Sequence, residues 1–295
     1  MTDAFRETYY RSGDGLVLYT RIYEPASGNG GCVLCLHGLT RNSRDFEDIA
    51  PHLAKRHRVV VPDLRGRGRS AHDPNIQNYN AQVYLADVLT LLGAINATQV
   101  AVIGTSLGGM LAMMLAATHR DRIAGIVLND VGPEIDPVGL KRIKQYAGRL
   151  PAVRSWDEAL EQTKTVYGAA WPGLDHLRWQ TLVRRAYREN AAGIPQVDID
   201  PKIGESLRSA PDVPMDLWPL WSAQHDVPTL AIRGAQSDIL SAETFARMKR
   251  DRPNLEQLTV PNRGHVPLLD EPECVAAIDS FLLQLNLREP ATLRD

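Results

Sequence analysis

A chain of 295 residues that is 44% apolar and 23% charged has the composition of a globular protein with one substantial core, or a core carrying an insertion. Its formal net charge of −2 supplies no basic field, which argues against nucleic acid and anionic membranes as partners. No stretch approaches the ~20 apolar residues of a membrane span, and the opening Met1-Thr-Asp-Ala-Phe-Arg-Glu7 has no apolar run behind a basic start, so no signal peptide is expected.

In chain order, Tyr9 to Tyr23 alternates around the turn Ser12 to Gly15 and predicts an entry hairpin. Three apolar strands are expected next, at Cys32 to Leu36, Arg58 to Pro62 and Val100 to Ile103. Between the last two, Tyr79 to Leu92 predicts a helix whose apolar side is Val83, Ala86, Leu89 and Leu92. A helix at Leu107 to His119 and a strand at Ile123 to Leu128 follow. Near the end come the strand Thr229 to Ile232, the helix Ala242 to Arg250, the strand Leu255 to Val260 and a helix from about Pro272 to Leu285. Strands alternating with helices indicate an α/β fold, a mostly parallel twisted sheet flanked by helices.

That rhythm breaks between Gly132 and Ala223, where Pro133, Pro137, Pro151, Pro172, Pro195, Pro201, Pro211, Pro214 and Pro219 punctuate helical patterns. All five tryptophans (Trp156, Trp171, Trp179, Trp218 and Trp221) fall there. The expected organisation is a core domain of residues 1–132 and 223–295 with a helical lid, 133–222, inserted between core strands. From about Arg288 the polar tail is expected to fray.

Three cysteines are too few and odd in number for a disulfide framework. Cys32 and Cys35 lie inside an apolar run with no second Cys/His pair nearby, so they read as strand-packing residues rather than a redox or metal site. A reducing compartment, the cytoplasm, is the expected location.

The chemistry concentrates at strand ends. Gly104-Thr105-Ser106-Leu107-Gly108 joins a predicted strand to a predicted helix. A serine in that tight turn is thrust out at the carboxyl end of the sheet, above the positive end of the helix, which is how a nucleophile is presented. A serine hydroxyl needs a base. Among eight histidines, His265 stands in the loop Asn262-Arg-Gly-His265 after the last strand and is the expected general base. The acid that orients it is Asp238 or Asp130, each just past a strand. Asp238 is preferred because it gives a Ser, Asp, His order on consecutive loops, while Asp130 is the alternative acid or a turn-former. An oxyanion hole is expected from the backbone N–H groups of Leu39 and Leu107, with His37 structural. The run Asp63-Leu-Arg-Gly-Arg-Gly-Arg-Ser70 matches no phosphate-cradling pattern and reads as a structural loop.

Together, His37-Gly38, Asp63-x-Arg-Gly-x-Gly-x-Ser70, Gly104-x-Ser-x-Gly-Gly109, Gly234-x-x-Ser-Asp238 and Gly264-His265 resemble the α/β-hydrolase superfamily, in its serine-nucleophile bacterial hydrolase and esterase branch. The resemblance covers nearly the whole chain outside the lid. It implies Ser106, Asp238 and His265 as triad, Leu39 and Leu107 as oxyanion donors, and an ester of a small apolar or aromatic substrate cleaved through an acyl-enzyme. It implies no metal or organic cofactor, and no partner beyond the small-molecule substrate; homo-oligomerisation is left open. Serine at position 106 departs from the carboxylate nucleophile of haloalkane dehalogenases and epoxide hydrolases and from the cysteine of dienelactone hydrolases. Carbon–carbon hydrolases of aromatic ring-cleavage products share the serine and lid, and small-molecule receptors occur on the same scaffold. Tyr146, Trp171 and Trp179 are expected to line the pocket, with Tyr167 and Tyr187 nearby. Arg184, Arg185 and Arg188 are candidates for holding a substrate carboxylate.

Overall fold

The computed structural model describes residues 5–26, 30–209 and 216–287. Its central sheet has eight strands in the order β1-β2-β4-β3-β5-β6-β9-β10: β1 Arg6–Arg11, β2 Val17–Tyr23, β3 Cys32–Leu36, β4 Arg58–Pro62, β5 Val100–Thr105, β6 Ile123–Asn129, β9 Thr229–Gly234 and β10 Glu256–Val260. β1 and β2 pair antiparallel, β2 pairs antiparallel with β4, and every later pairing is parallel. β3, β5 and β9 are buried along their whole length, as expected of strands with helices on both faces.

Period-2 alternation sorts the strand residues onto two cores. Leu34, Val60, Val102, Ile126 and Leu128 pack with Val88 and Leu91 of α2 (Ala81–Ala94), Leu111 and Leu115 of α3 (Leu107–Thr118) and Met248 of α9 (Ala242–Asp251). Val33, Val61, Ile103, Val127 and Ile232 face the other way, against α1 (Ile49–Leu53) and Ile278, Phe281 and Leu282 of α10 (Pro272–Gln284). Cys32 and Cys35 are free and buried on opposite faces. Burial pushes the Cys32 thiol up to about 12, so the pair packs the strand.

The buried side of α2 differs from the predicted one. It is Tyr84, Asp87, Val88, Leu91 and Leu92, with Ala86 exposed. Asp87 turns the helix inward because Arg65, in the loop after β4, meets its carboxylate at 2.7 Å through two nitrogens. Arg65 also bonds Asp73 at 2.5 Å and Asp14 at 2.8 Å. Arg67, equally buried, donates to the carbonyls of Leu39 and Arg65 and lies over the Tyr84 ring. Two of the run's three arginines are therefore an internal brace, while Arg69 stays exposed and pairs with Glu7.

Between β6 and β9 the chain leaves the sheet for α4 (Pro137–Tyr146), α5 (Trp156–Tyr167), α6 (His176–Ala186), the hairpin β7 (Tyr187–Glu189) and β8 (Pro195–Val197), α7 (Lys202–Ser209) and α8 (Trp218–Ala223). The hairpin was not expected. Trp171 and Trp179 join Val153, Leu160, Leu182 and Val183 in a cluster belonging to this segment, with Trp156 packed against it. Trp221 does not follow them: it is buried in the sheet core, where α8 packs on α3. α8 thus goes with the core, although residues up to 222 were assigned to the lid. Pro211, Pro214 and the tail from Arg288 lie outside the described residues. Arg178 and Arg185 of α6 fasten the segment to the core, each bonding Asp48 at 2.7 Å. Among the described residues, no helix is long and apolar enough to cross a membrane.

Candidate active site

Ser106 sits between β5 and α3 at φ +52°, ψ −113°, a backbone conformation that costs free energy in a non-glycine residue and needs its surroundings to hold it. The surroundings are glycines. A Cβ on Gly104 would run into Gly108, and a Cβ on Gly108 would run into the Leu36 carbonyl of the neighbouring strand. Only hydrogen at both positions lets strand and helix close on the turn. The Ser106 carbonyl accepts from the amides of Gly109 and Met110, leaving the hydroxyl to project from the sheet's carboxyl edge.

His265 arrives from the loop after β10, 8% exposed. Its Nε2 lies 3.0 Å from Ser106 Oγ and its Nδ1 2.8 Å from Asp130 Oδ2. A carboxylate only accepts, so Nδ1 carries the proton and Nε2 turns its lone pair to the serine hydroxyl. Asp130, one residue beyond β6, is fully buried. The Gly234 amide donates to its Oδ1 at 2.8 Å, and Ser237 Oγ and His265 donate to its Oδ2 at 2.6 and 2.8 Å. Three donors make a buried carboxylate tolerable.

Asp238, the preferred acid by sequence, is not the partner of His265. It sits one residue past Ser237 and turns outward to Arg142 of α4, with bonds of 2.6 and 2.9 Å. Burial is the largest single influence and pushes its carboxyl up, but the hydrogen bonds and charge of Arg142 together with the His265 charge hold it below its ordinary value. The alternative acid, Asp130, takes the place, and a bond to the imidazole replaces the turn-forming role also considered for it.

The loop after β3 passes beside Ser106. A Cβ built on Gly38 would stand 3.8 Å from Ser106 Cβ, bringing the next residue, Leu39, to the rim. Leu107 opens α3, whose first amides have no partner within the helix. His37 is buried: the Leu64 amide donates to its Nε2 at 3.1 Å and its Nδ1 donates to the Gly38 carbonyl at 2.8 Å. Burial holds it down at about 4, so it stays neutral and braces the loop, as expected. Arg67 braces the same loop through the Leu39 carbonyl at 3.0 Å.

A cavity of about 60 Å³ opens over Ser106, walled by Leu39, Thr40, Arg41, Tyr146, Tyr167 and Trp171 among others. Of the expected pocket residues, Tyr146 and Trp171 are on its wall. Trp179 stands behind Trp171, ring centroids 5.8 Å apart. Tyr167 stacks on Trp171 at 4.7 Å, and the Trp171 indole donates to the Val266 carbonyl at 2.7 Å, tying the wall to the histidine loop. Tyr187 lines a larger neighbouring cleft of about 770 Å³ that shares Thr40, Arg41, Tyr146 and Tyr167 with the first cavity. The arginines of α6 and β7 have partners within the protein. Arg185 holds Glu47 and Asp48, Arg188 pairs with Asp198, and Arg184 covers the Trp156 ring. Sequence reasoning missed Thr40 and Arg41, which follow the glycine of the β3 loop and whose numbering after His37 was the available signal.

Comparison with known proteins gives the same architecture. The model of the alpha/beta hydrolase fold family matches residues 31–272. A 3-hydroxybutyrate-oligomer hydrolase from Cupriavidus necator is 32% identical over 262 residues, covering 86% of this chain and 88% of the relative. A 2-(acetamidomethylene)succinate hydrolase from Mesorhizobium japonicum is 26% identical, covering 86% and 89%. The crystal structure of an alpha/beta hydrolase from Novosphingobium aromaticivorans is 42% identical and superposes with a TM-score of 0.89 over 96% of this chain and 99% of that one. The chain is a hydrolase and belongs to the α/β-hydrolase family.

Proposed function

We propose that the protein is a serine carboxylic ester hydrolase working through an acyl-enzyme, with short esters of hydroxy acids as its substrate class. The observation that carries this reading is the unbroken chain from Asp130 through His265 to Ser106, with links of 2.8 and 3.0 Å. The substrate class leans on the relative that hydrolyses 3-hydroxybutyrate oligomers.

In this reading His265 Nε2 takes the Ser106 proton as Oγ adds to the ester carbonyl, and the amides of Leu39 and Leu107 receive the oxyanion. The tetrahedral intermediate collapses, the C–O bond to the alcohol breaks, and the proton on Nε2 passes to the departing oxygen. Water then gives a proton to His265 and its hydroxide to the acyl carbon, the acyl C–Oγ bond breaks as His265 Nε2 returns that proton to Ser106 Oγ, and the acid leaves. Asp130 holds the imidazole in register and stabilises its charged form throughout. The inserted helices α4–α6 with the β7–β8 hairpin act as the lid over the cleft. The cytoplasm is the compartment adopted, supported by three buried free thiols.

Ser106→Ala is the direct test. The wild type should be labelled by a fluorophosphonate and should hydrolyse the methyl ester of a 3-hydroxybutyrate dimer, and the variant should do neither while keeping its circular dichroism spectrum. Labelling of the variant at the wild-type rate would remove Ser106 from the mechanism.

A further inference from the structure

A substrate that runs from Ser106 into the larger cleft crosses the wall the two cavities share, formed by Thr40, Arg41, Tyr146 and Tyr167. A Cβ built on Gly38 would stand 3.7 Å from Arg41 Cγ and 3.8 Å from Ser106 Cβ, so the arginine stem and the nucleophile both border one glycine. The guanidinium offers five N–H groups. Asp45 takes one edge of it: Nε lies 3.0 and 2.8 Å from the two carboxylate oxygens and Nη2 lies 2.5 Å from Oδ1. Nη1 is buried and has no hydrogen-bond partner. Tyr167 is alongside, its ring centroid 5.7 Å from Cζ; its hydroxyl is near enough to act on the guanidinium electrostatically, but it is not in bonding geometry to Nη1.

A buried donor left without an acceptor costs free energy, and native structures keep few of them. The other arginines near this wall have acceptors: Arg185 has Glu47 and Asp48, and Arg142 has Asp238. Arg67 also keeps a buried Nη2 without a partner but lines neither cavity, whereas Arg41 keeps its open edge at the junction of the two.

We propose that Arg41 is a specificity-determining residue whose Nη1 receives a carboxylate of the substrate, so that the preferred ester carries a free acid group on the acyl chain being transferred to Ser106. The inference rests on the serine ester-hydrolase reading alone and not on the hydroxy-acid substrate class, whose free carboxylate would leave with the alcohol. A monoanion suits the site. Asp45 already balances the guanidinium charge, and a dianion such as a phosphate monoester would meet the Asp45 carboxylate with only one open nitrogen to hold it. Arg41 then works in binding and orientation, and its effect falls mainly on KM.

Two 4-nitrophenyl esters of similar acyl length, the butyrate and the hemiglutarate, separate the outcomes. The wild type should prefer the hemiglutarate in kcat/KM. In Arg41→Gln the ratio of hemiglutarate to butyrate kcat/KM should fall by about tenfold or more, the effect of one charge-assisted hydrogen bond, with the larger part in KM. Because Arg41→Gln leaves Asp45 without its partner, Arg41→Gln/Asp45→Asn is measured beside it and should show the same fall in ratio. A ratio unmoved in both variants would overturn the proposal while leaving the ester reading intact. Failure of the wild type to hydrolyse either ester would remove both.

Discussion

The ends of β6 and β9 offer a comparison within one sheet edge. Each is followed by an aspartate, Asp130 and Asp238, and both precede His265 in the chain. Asp130 is fully buried and accepts from a backbone amide, a serine hydroxyl and the imidazole. Asp238 keeps a side chain 30% exposed and bonds Arg142 of α4. One carboxylate faces His265, and the other fastens the first helix of the inserted segment to the sheet. Similar positions along the chain have opposite physical fates. What separates them is which residue of the loop turns inward: after β9 it is Ser237, and Asp238 beside it is displaced outward.

The largest expected effect breaks that pair apart. Asp130→Asn puts an amide where the His265 Nδ1 proton must be accepted and the imidazolium stabilised. It should lower kcat for an ester substrate by about 10³ to 10⁴ with the fold retained, the scale seen when a triad aspartate becomes its amide. Asp238→Asn should change kcat less than about threefold, since no bond to the imidazole is lost. Steady-state kinetics on the two variants side by side decide the assignment. A thousandfold loss in Asp238→Asn with an active Asp130→Asn would reverse it.

The sequence made the elbow legible and the acid ambiguous, for physical reasons. Gly104 and Gly108 flank Ser106 because only glycine fits between strand and helix, so residue type and spacing carry the geometry. Nothing similar marks an orienting acid. Chain order does not discriminate, because Asp130 and Asp238 satisfy it equally, and the deciding partner is a serine one position away. Two other misreadings have the same origin. Periodicity treats Asp87 as a surface residue of α2, yet Arg65, 22 positions earlier, draws it inside. The β7–β8 hairpin has strands of three residues each, too short for alternation to register among Arg188, Glu189 and Asn190. In each case a long-range polar contact or a short element overrides the local pattern, while the hydrophobic strands, whose burial is dictated by composition alone, were placed within a few residues.

A second, smaller perturbation sharpens the comparison from the Asp130 side. The Ser237 hydroxyl donates to Asp130 at 2.6 Å and accepts from the amides of Ile239 and Leu240. Ser237→Ala removes one of three donors to a buried carboxylate and loosens the turn that places Asp238. A hydrogen bond to a charged group contributes about 1.5 kcal/mol, so kcat should fall roughly tenfold. Ser237→Thr, which keeps the hydroxyl, should recover most of it. Equal activity of the alanine and threonine variants would mean that the Ser237 bond plays no part in holding the acid.

The smallest effect belongs to Asp238 and shows in stability, where its sign with pH is fixed. Burial, the largest single influence, raises the Asp238 carboxyl, but the Arg142 bonds and charge and the nearby His265 charge together lower it below its ordinary value. A carboxyl depressed by folding contributes stability above its unfolded value, near pH 4, and loses it as pH falls through the folded one. For a half-buried ion pair that contribution is about 1 kcal/mol or less. Denaturant unfolding should therefore find Asp238→Asn slightly less stable than the wild type at pH 7, with the gap closing towards pH 3. The paired measurement on Arg142→Gln should trace the same curve, because either substitution removes the same tie between α4 and the β9 loop. A gap that widens on acidification would mean that Asp238 is held up by burial rather than down by Arg142, and the division of labour between the two aspartates would have to be redrawn.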